Sequence, residues 1–95
     1  MANDTEQIRV YMPRHGEVIG QIDESLGGSR FKIACQDGPT RVCRMPGKFR
    51  RRMKIRPGDY AVVKPWDIEP KEKGDIVFIY TRTQAGVLKK RGLVK

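Results

Sequence analysis

The residues best equipped for chemistry in this chain are cations gathered in one stretch. Between positions 41 and 56 stand Arg41, Arg44, Lys48, Arg50, Arg51, Arg52, Lys54 and Arg56, with no Asp or Glu among them. The flanking carboxylates are Asp37 and Asp59. Like charges crowded in this way repel one another, and a polyanion relieves the repulsion. Six of the eight are arginine, whose planar fork fits phosphate and guanine edges and stacks on bases, whereas lysine would serve for solubility alone. The bland alternative is a solvated cationic face. A membrane surface is a poorer partner, because no large amphipathic helix accompanies the charge.

Aromatic residues near these cations have two readings each. Phe49, inside the block, is either the apolar anchor of a helical turn or a ring for base stacking. Trp66, between Pro65 and Asp67, either offers its indole face to a base or caps the core together with Ile68. Phe31 lies between Arg30 and Lys32, but its period-two neighbours Ile33 and Cys35 assign it to the core. The candidate polyanion contacts are therefore Arg41, Arg44, Lys48, Arg50, Arg51, Arg52, Lys54, Lys64 and Trp66.

Other chemistries lack their residues. His15 is the only histidine, and no nucleophile stands beside it. Asp23 and Glu24 are neighbours on an expected strand, where adjacent side chains point apart, so they make a poor acid–base pair. Gly47-Lys48 lacks Walker A spacing, since Val42 occupies the place of the first glycine. Neither catalysis nor a cofactor nor a metal is expected. Cys35 and Cys43 are too few for a disulfide scaffold or a four-ligand zinc site. If Asp37-Gly38 forms a two-residue turn, Cys35 lies opposite Thr40 and Cys43 opposite Lys32. The two sulfurs then face opposite sides of the sheet and cannot bridge; a longer turn would change that register.

The elements that must position these residues are short. With 95 residues, net charge +9, 38% hydrophobic and 33% charged residues, the chain is one domain with a heavily charged surface. Residues 1–14 read as a flexible leader whose apolar patch, Ile8, Val10, Tyr11 and Met12, either docks on a partner or brushes the barrel. Strands are expected over 16–23, 30–36, 40–45, 60–64 and 75–80, with a Gly27-Gly28 turn, an Asp37-Gly38 hairpin and a charged loop over 65–74. Residues 48–52 suffice for one or two helical turns, and Thr83 is the expected cap of a helix through Arg91, closed by Gly92. This order predicts an all-β fold, a five-stranded OB-type barrel over 15–82 with a short C-terminal helix and basic tail over 83–95. No apolar run approaches a membrane span and the N-terminus lacks a secretory pattern, so cytoplasmic location is expected.

The stretch Gly16-Glu17-Val18 to Ser25, then Cys35-Gln36-Asp37-Gly38, then Arg41-Val42-Cys43-Arg44-Met45-Pro46-Gly47-Lys48-Phe49-Arg50-Arg51-Arg52, resembles the translation initiation factor 1A family. The resemblance continues through Arg56-Pro57-Gly58-Asp59 and Gly74-Asp75-Ile76-Val77. It implies an OB barrel with a helical appendix that binds ribosomal RNA in the decoding region, the A site, of the small ribosomal subunit. By position, Lys48, Arg50, Arg51 and Arg52 match the family's basic segment that contacts this RNA. Arg44 stands where eukaryotic members tend to carry histidine, and Trp66 where they tend to carry arginine. The eukaryotic acidic tail, which engages initiation factor 5B, is replaced here by Lys89-Lys90-Arg91-Gly92-Leu93-Val94-Lys95, an archaeal-type ending. Docking to the related 5B-type GTPase would then use another surface, and other initiation factors are further candidate partners. A monomer off the ribosome is expected. Two rivals remain: a general single-stranded RNA-binding or RNA-chaperone OB protein, and a barrel that docks on an acidic protein. The first needs several exposed aromatics, whereas Phe31, Tyr60, Phe78 and Tyr80 are wanted by the core.

Overall fold

The structure, a computed structural model, describes residues 10–47 and 55–94. Its elements are β1 (Val18–Gly27), β2 (Arg30–Cys35), β3 (Thr40–Arg44), β4 (Tyr60–Pro65), β5 (Lys73–Ile79) and a helix, α1 (Arg82–Lys90). The strands close into a barrel in the order β1-β2-β3-β5-β4, with β3 and β5 parallel and the other pairs antiparallel. This is the five-stranded OB arrangement expected from the strand order.

β1 is long because it serves two neighbours. Val18 to Gln21 pair with β4, and Gly20 to Gly27 pair with β2 through two register shifts that bend the strand. It ends in a two-residue turn at Gly28 and Ser29, whose φ values of 58° and 62° are those of a type I′ turn. The turn therefore falls one residue later than the expected Gly27-Gly28, and the strand runs on past its expected end at Asp23.

The β2–β3 hairpin corrects a second expectation. Ala34 pairs with Thr40 and Phe31 with Cys43, one residue out of the register that a two-residue Asp37-Gly38 turn would give. The cause is Pro39. A two-residue turn is closed by the N–H of the residue after it, and proline has none. The chain instead makes a longer loop, in which the Cys35 N–H donates to the Pro39 carbonyl at 3.1 Å and Gly38 takes φ 122°. The slip turns Cys35 and Cys43 to the same side of the sheet, both into the barrel interior, where both are free thiols. Burial raises the Cys35 thiol pKa and pushes that of Cys43 up to about 12, so both are packing residues.

β4 reads Tyr-Ala-Val-Val and is buried on both faces. Ala61 and Val63 join Ile22, Phe31, Ile33, Cys43, Ile76 and Ile79 inside the barrel. Tyr60 and Val62 pack outside it with Ile19, Tyr80, Leu88 and Val94. That outer core is roofed by α1 and by the segment before β1. The ring of Tyr11 stacks on Phe78, with centroids 4.8 Å apart and planes 11° from parallel. Its hydroxyl donates to Glu17 at 3.0 Å, and its carbonyl accepts from the Tyr80 hydroxyl. Of the apolar patch in the expected leader, Val10 and Tyr11 thus pack on the barrel, Met12 stays exposed, and Ile8 lies outside the described residues.

The helix begins two residues before the expected Thr83 cap. Thr81 Oγ1 accepts from the Gln84 N–H at 3.2 Å, and the Gln84 side chain accepts from the Thr81 N–H at 2.9 Å. Only Thr81 has a glutamine three residues on; three beyond Thr83 is Gly86, which has no side chain to complete the box. Lys89 and Lys90 occupy the last turn, and Gly92, at φ 74°, terminates the helix as expected.

Candidate RNA-binding face

Four strand ends meet at one end of the barrel. Cys43 and Gly74 point inward as a pair, so the next residues, Arg44 and Asp75, which also pair, point outward. Asp75 pairs on its other side with Lys64, whose inward predecessor is Val63. Across the β2–β3 hairpin, Arg44 lies opposite Arg30. Arg30, Arg44, Asp75 and Lys64 therefore form a continuous outward row across β2, β3, β5 and β4. The two arginines within it are like charges directly opposite on neighbouring strands, a pairing that destabilises the sheet.

Trp66 stands at the exit of β4, tied to β5 by its N–H to the Lys73 carbonyl at 3.0 Å. The Arg44 guanidinium carbon lies 5.7 Å from the indole centroid, within cation–π range. Trp66 is 36% exposed and Ile68 79% exposed, so the two do not cap the core. The Arg44 side chain is 64% exposed, and its Nε stands 3.5 Å from Asp75 Oδ1, an ion-pair distance without hydrogen-bond geometry. That oxygen is buried and accepts no hydrogen bond. Two hollows flank Asp75: one of about 360 Å³ lined by Lys64, Pro65, Trp66, Asp67 and Asp75, and one of about 340 Å³ lined by Arg44, Met45, Pro46, Gly47 and Asp75.

Arg41 is a correction to the candidate contacts. It shares the inward face of β3 with Cys43 and is 3% exposed. Its terminal nitrogens donate to the two Asp37 oxygens at 2.8 Å each, and its Nε donates to the Pro70 carbonyl. Each of its three nitrogens donates in tying the hairpin to the β4–β5 loop, and its burial keeps it from the outward face. The bond from Arg41 holds the Asp37 carboxyl below the usual carboxylate range, and the same bond raises the guanidinium pKa further.

Arg44, Lys64 and Trp66 are thus brought together, while Lys48, Phe49, Arg50, Arg51, Arg52 and Lys54 lie outside the described residues. The chain reaches that basic segment through Gly47, which lines the second hollow, and leaves it at Ile55, which packs on the inner core. Sequence reasoning missed Arg30 and Asp75. Arg30 was accessible through strand alternation opposite Arg44, once Pro39 is allowed to set the register. Asp75 carried no local signal, because the parallel β3–β5 pairing that seats it joins distant parts of the chain. Among the described residues no helix is long and apolar enough to cross a membrane.

Known proteins resemble this chain over most of its length. The family described as Translation initiation factor 1A / IF-1 matches residues 7–95. The chain is 46% identical over 94 residues to translation initiation factor 1A of Picrophilus torridus, covering 97% of this chain and 86% of that one. It is 44% identical over 91 residues to translation initiation factor 1A of Thermococcus kodakarensis, covering 94% and 78%. Among solved structures, it is similar to translation initiation factor 1 from the Wolbachia endosymbiont of Brugia malayi, with TM-score 0.52 and 27% identity over 83% of this chain and 87% of that one. YjeQ from Thermotoga maritima shares the fold alone, with TM-score 0.56 at 24% identity over 70% of this chain, which spans only 23% of that larger protein. The matched family is one of translation initiation factors, a non-enzymatic family.

Proposed function

Because the chain belongs to the translation initiation factor 1A family, we propose that it binds ribosomal RNA in the decoding region of the small ribosomal subunit, occupying the A site during initiation. The observation that carries this reading is the outward row of Arg30, Arg44 and Lys64 beside the exposed Trp66; the basic segment 48–54 follows β3 in the sequence. Two arginines set opposite each other cost stability in the free protein. RNA phosphates repay that cost.

Folded ribosomal RNA offers phosphates, a shallow minor groove and splayed bases, so recognition rests on charge, shape and stacking. The arginines neutralise phosphates, and the closed barrel supplies a rigid volume that excludes a tRNA from the same place. If about five phosphates are neutralised, the logarithm of the binding constant falls with the logarithm of salt at a slope of roughly −3.5 to −4.5. Other initiation factors, including the 5B-type GTPase, are partners on the same subunit, and the protein is a cytoplasmic monomer away from it.

A general single-stranded RNA binder would need a platform of exposed aromatics on adjacent strands. Among the described residues, Phe31, Tyr60 and Tyr80 are buried, and only Trp66 presents an exposed ring. Chemical footprinting of small-subunit RNA tests the proposal. Protection confined to the decoding region is expected; protection elsewhere, or scattered along the RNA, contradicts it.

A further inference from the structure

We propose that the hollow between Trp66 and Asp75 is a base-reading subsite selective for guanine, with Asp75 as its specificity-determining residue. This rests on the RNA-binding reading above and adds a feature that a purely cationic face lacks. The hollow, about 360 Å³, has an indole for one wall and lysine and proline from the end of β4 for another, yet it carries two carboxylates, Asp67 and Asp75. A carboxylate repels a phosphate. In an otherwise cationic face, this place therefore suits the other part of a nucleotide, a base that brings hydrogen-bond donors.

Asp75 is the carboxylate held in position. It is fixed in the ladder between Arg44 and Lys64. Its Oδ1 is buried without a hydrogen bond, and the 3.5 Å approach of Arg44 Nε leaves that capacity unused. Buried acceptors are ordinarily paired, and an unpaired one calls for a partner. Arg44 covers this oxygen while lying against the Trp66 ring; when the guanidinium turns to an RNA phosphate, the oxygen is freed to accept.

An ionised carboxylate accepts and never donates. Guanine alone places two donors side by side on its Watson–Crick edge, N1–H and the N2 amino group, matching two carboxylate oxygens. Adenine and cytosine set a ring-nitrogen acceptor beside their single amino donor, and uracil flanks its one N–H with carbonyls, so each would press a lone pair against Asp75. Stacking on Trp66 supplies affinity that does not depend on base identity. The carboxylate supplies the choice.

Trp66 is the only tryptophan in the chain, so its fluorescence reports occupancy of the hollow directly. The full chain would be titrated with short single-stranded oligouridylates carrying one central guanine, inosine, adenine or cytosine. Inosine keeps N1–H and lacks the N2 amino group. Quenching by the guanine oligonucleotide is expected at a concentration about tenfold lower than by inosine, as befits loss of one arm of a bidentate pair. Asp75→Asn should abolish that preference, whereas Trp66→Phe, followed by anisotropy of labelled RNA, should weaken all four alike. Equal binding of guanine and inosine by the unaltered chain overturns the proposal, and needs no variant to fold. Co-sedimentation with small subunits, run in parallel, separates the two readings. Retained subunit binding with no base preference removes the guanine subsite alone; loss of both removes the RNA-binding face with it.

Discussion

Arg41 and Arg44 stand three positions apart on one strand and have opposite fates. Strand alternation sends Arg41 inward to Asp37 and the Pro70 carbonyl, and Arg44 outward to solvent, Trp66 and Asp75. Arg41→Ala should cost about 1–3 kcal/mol of stability, since it strips partners from a hairpin carboxylate and a loop carbonyl. Arg44→Ala should stay within about 0.5 kcal/mol of the unaltered protein, as exposed positions do, yet weaken binding to the small subunit. Urea unfolding beside subunit binding for the two variants checks this contrast, and an Arg41 variant that binds poorly while folding normally would refute it. A pH dependence follows from the same bond. Asp37 is held below the usual carboxylate range. Its contribution is therefore complete above the unfolded value of about 4 and fades as pH falls through and below it. The stability difference between the unaltered chain and Asp37→Asn should shrink between about pH 5 and pH 2. A difference constant over that window would mean that the pairing carries no stability.

Among the elements, those with a strong local pattern were the ones readable from the sequence. Tyr60 to Val63 form an unbroken apolar run because β4 has a core on both faces, and Arg30 to Cys35 alternate because β2 has a core on one. The misplacements came from single residues that overrule a pattern. Pro39 withholds the N–H that would close a two-residue turn, and Gln84 picks Thr81 over Thr83 as its capping partner. Glycines give a test at this scale. A Cβ at Gly74 would sit 2.7 Å from Val63 Cγ1 and 3.1 Å from the Lys64 carbonyl, whereas one at Gly86, inside α1, would meet nothing within 4 Å. Gly74→Ala should lose about 1–3 kcal/mol through crowding, and Gly86→Ala should gain roughly 0.5–1 kcal/mol through helix propensity. Thermal unfolding of both distinguishes close packing from mere backbone freedom, because the second explanation gives both variants the same sign.

For the whole molecule, charge was legible and its arrangement was not. The acid-free stretch from 41 to 56 stands out in the sequence, and the resemblance to initiation factor 1A rests largely on it. What a linear reading missed is that the barrel sets Arg30 of β2 on the same face as the expected Arg44 and Lys64, removes Arg41 from it, and seats Asp75 at its centre. Arg30 and Arg41 follow from strand alternation once Pro39 sets the hairpin register, whereas the seat of Asp75 arises from the parallel pairing of distant segments, which local spacing does not encode. The proposed function has the protein grip the small ribosomal subunit through its arginines. The most direct test is co-sedimentation with separated ribosomal subunits at two salt concentrations, comparing the unaltered chain with the Arg50→Ala/Arg51→Ala/Arg52→Ala variant. Selective pelleting with the small subunit, weakened by the substitutions and by added salt, is the predicted result. Equal binding to both subunits and to bulk RNA, or binding indifferent to salt and to the three arginines, would contradict it.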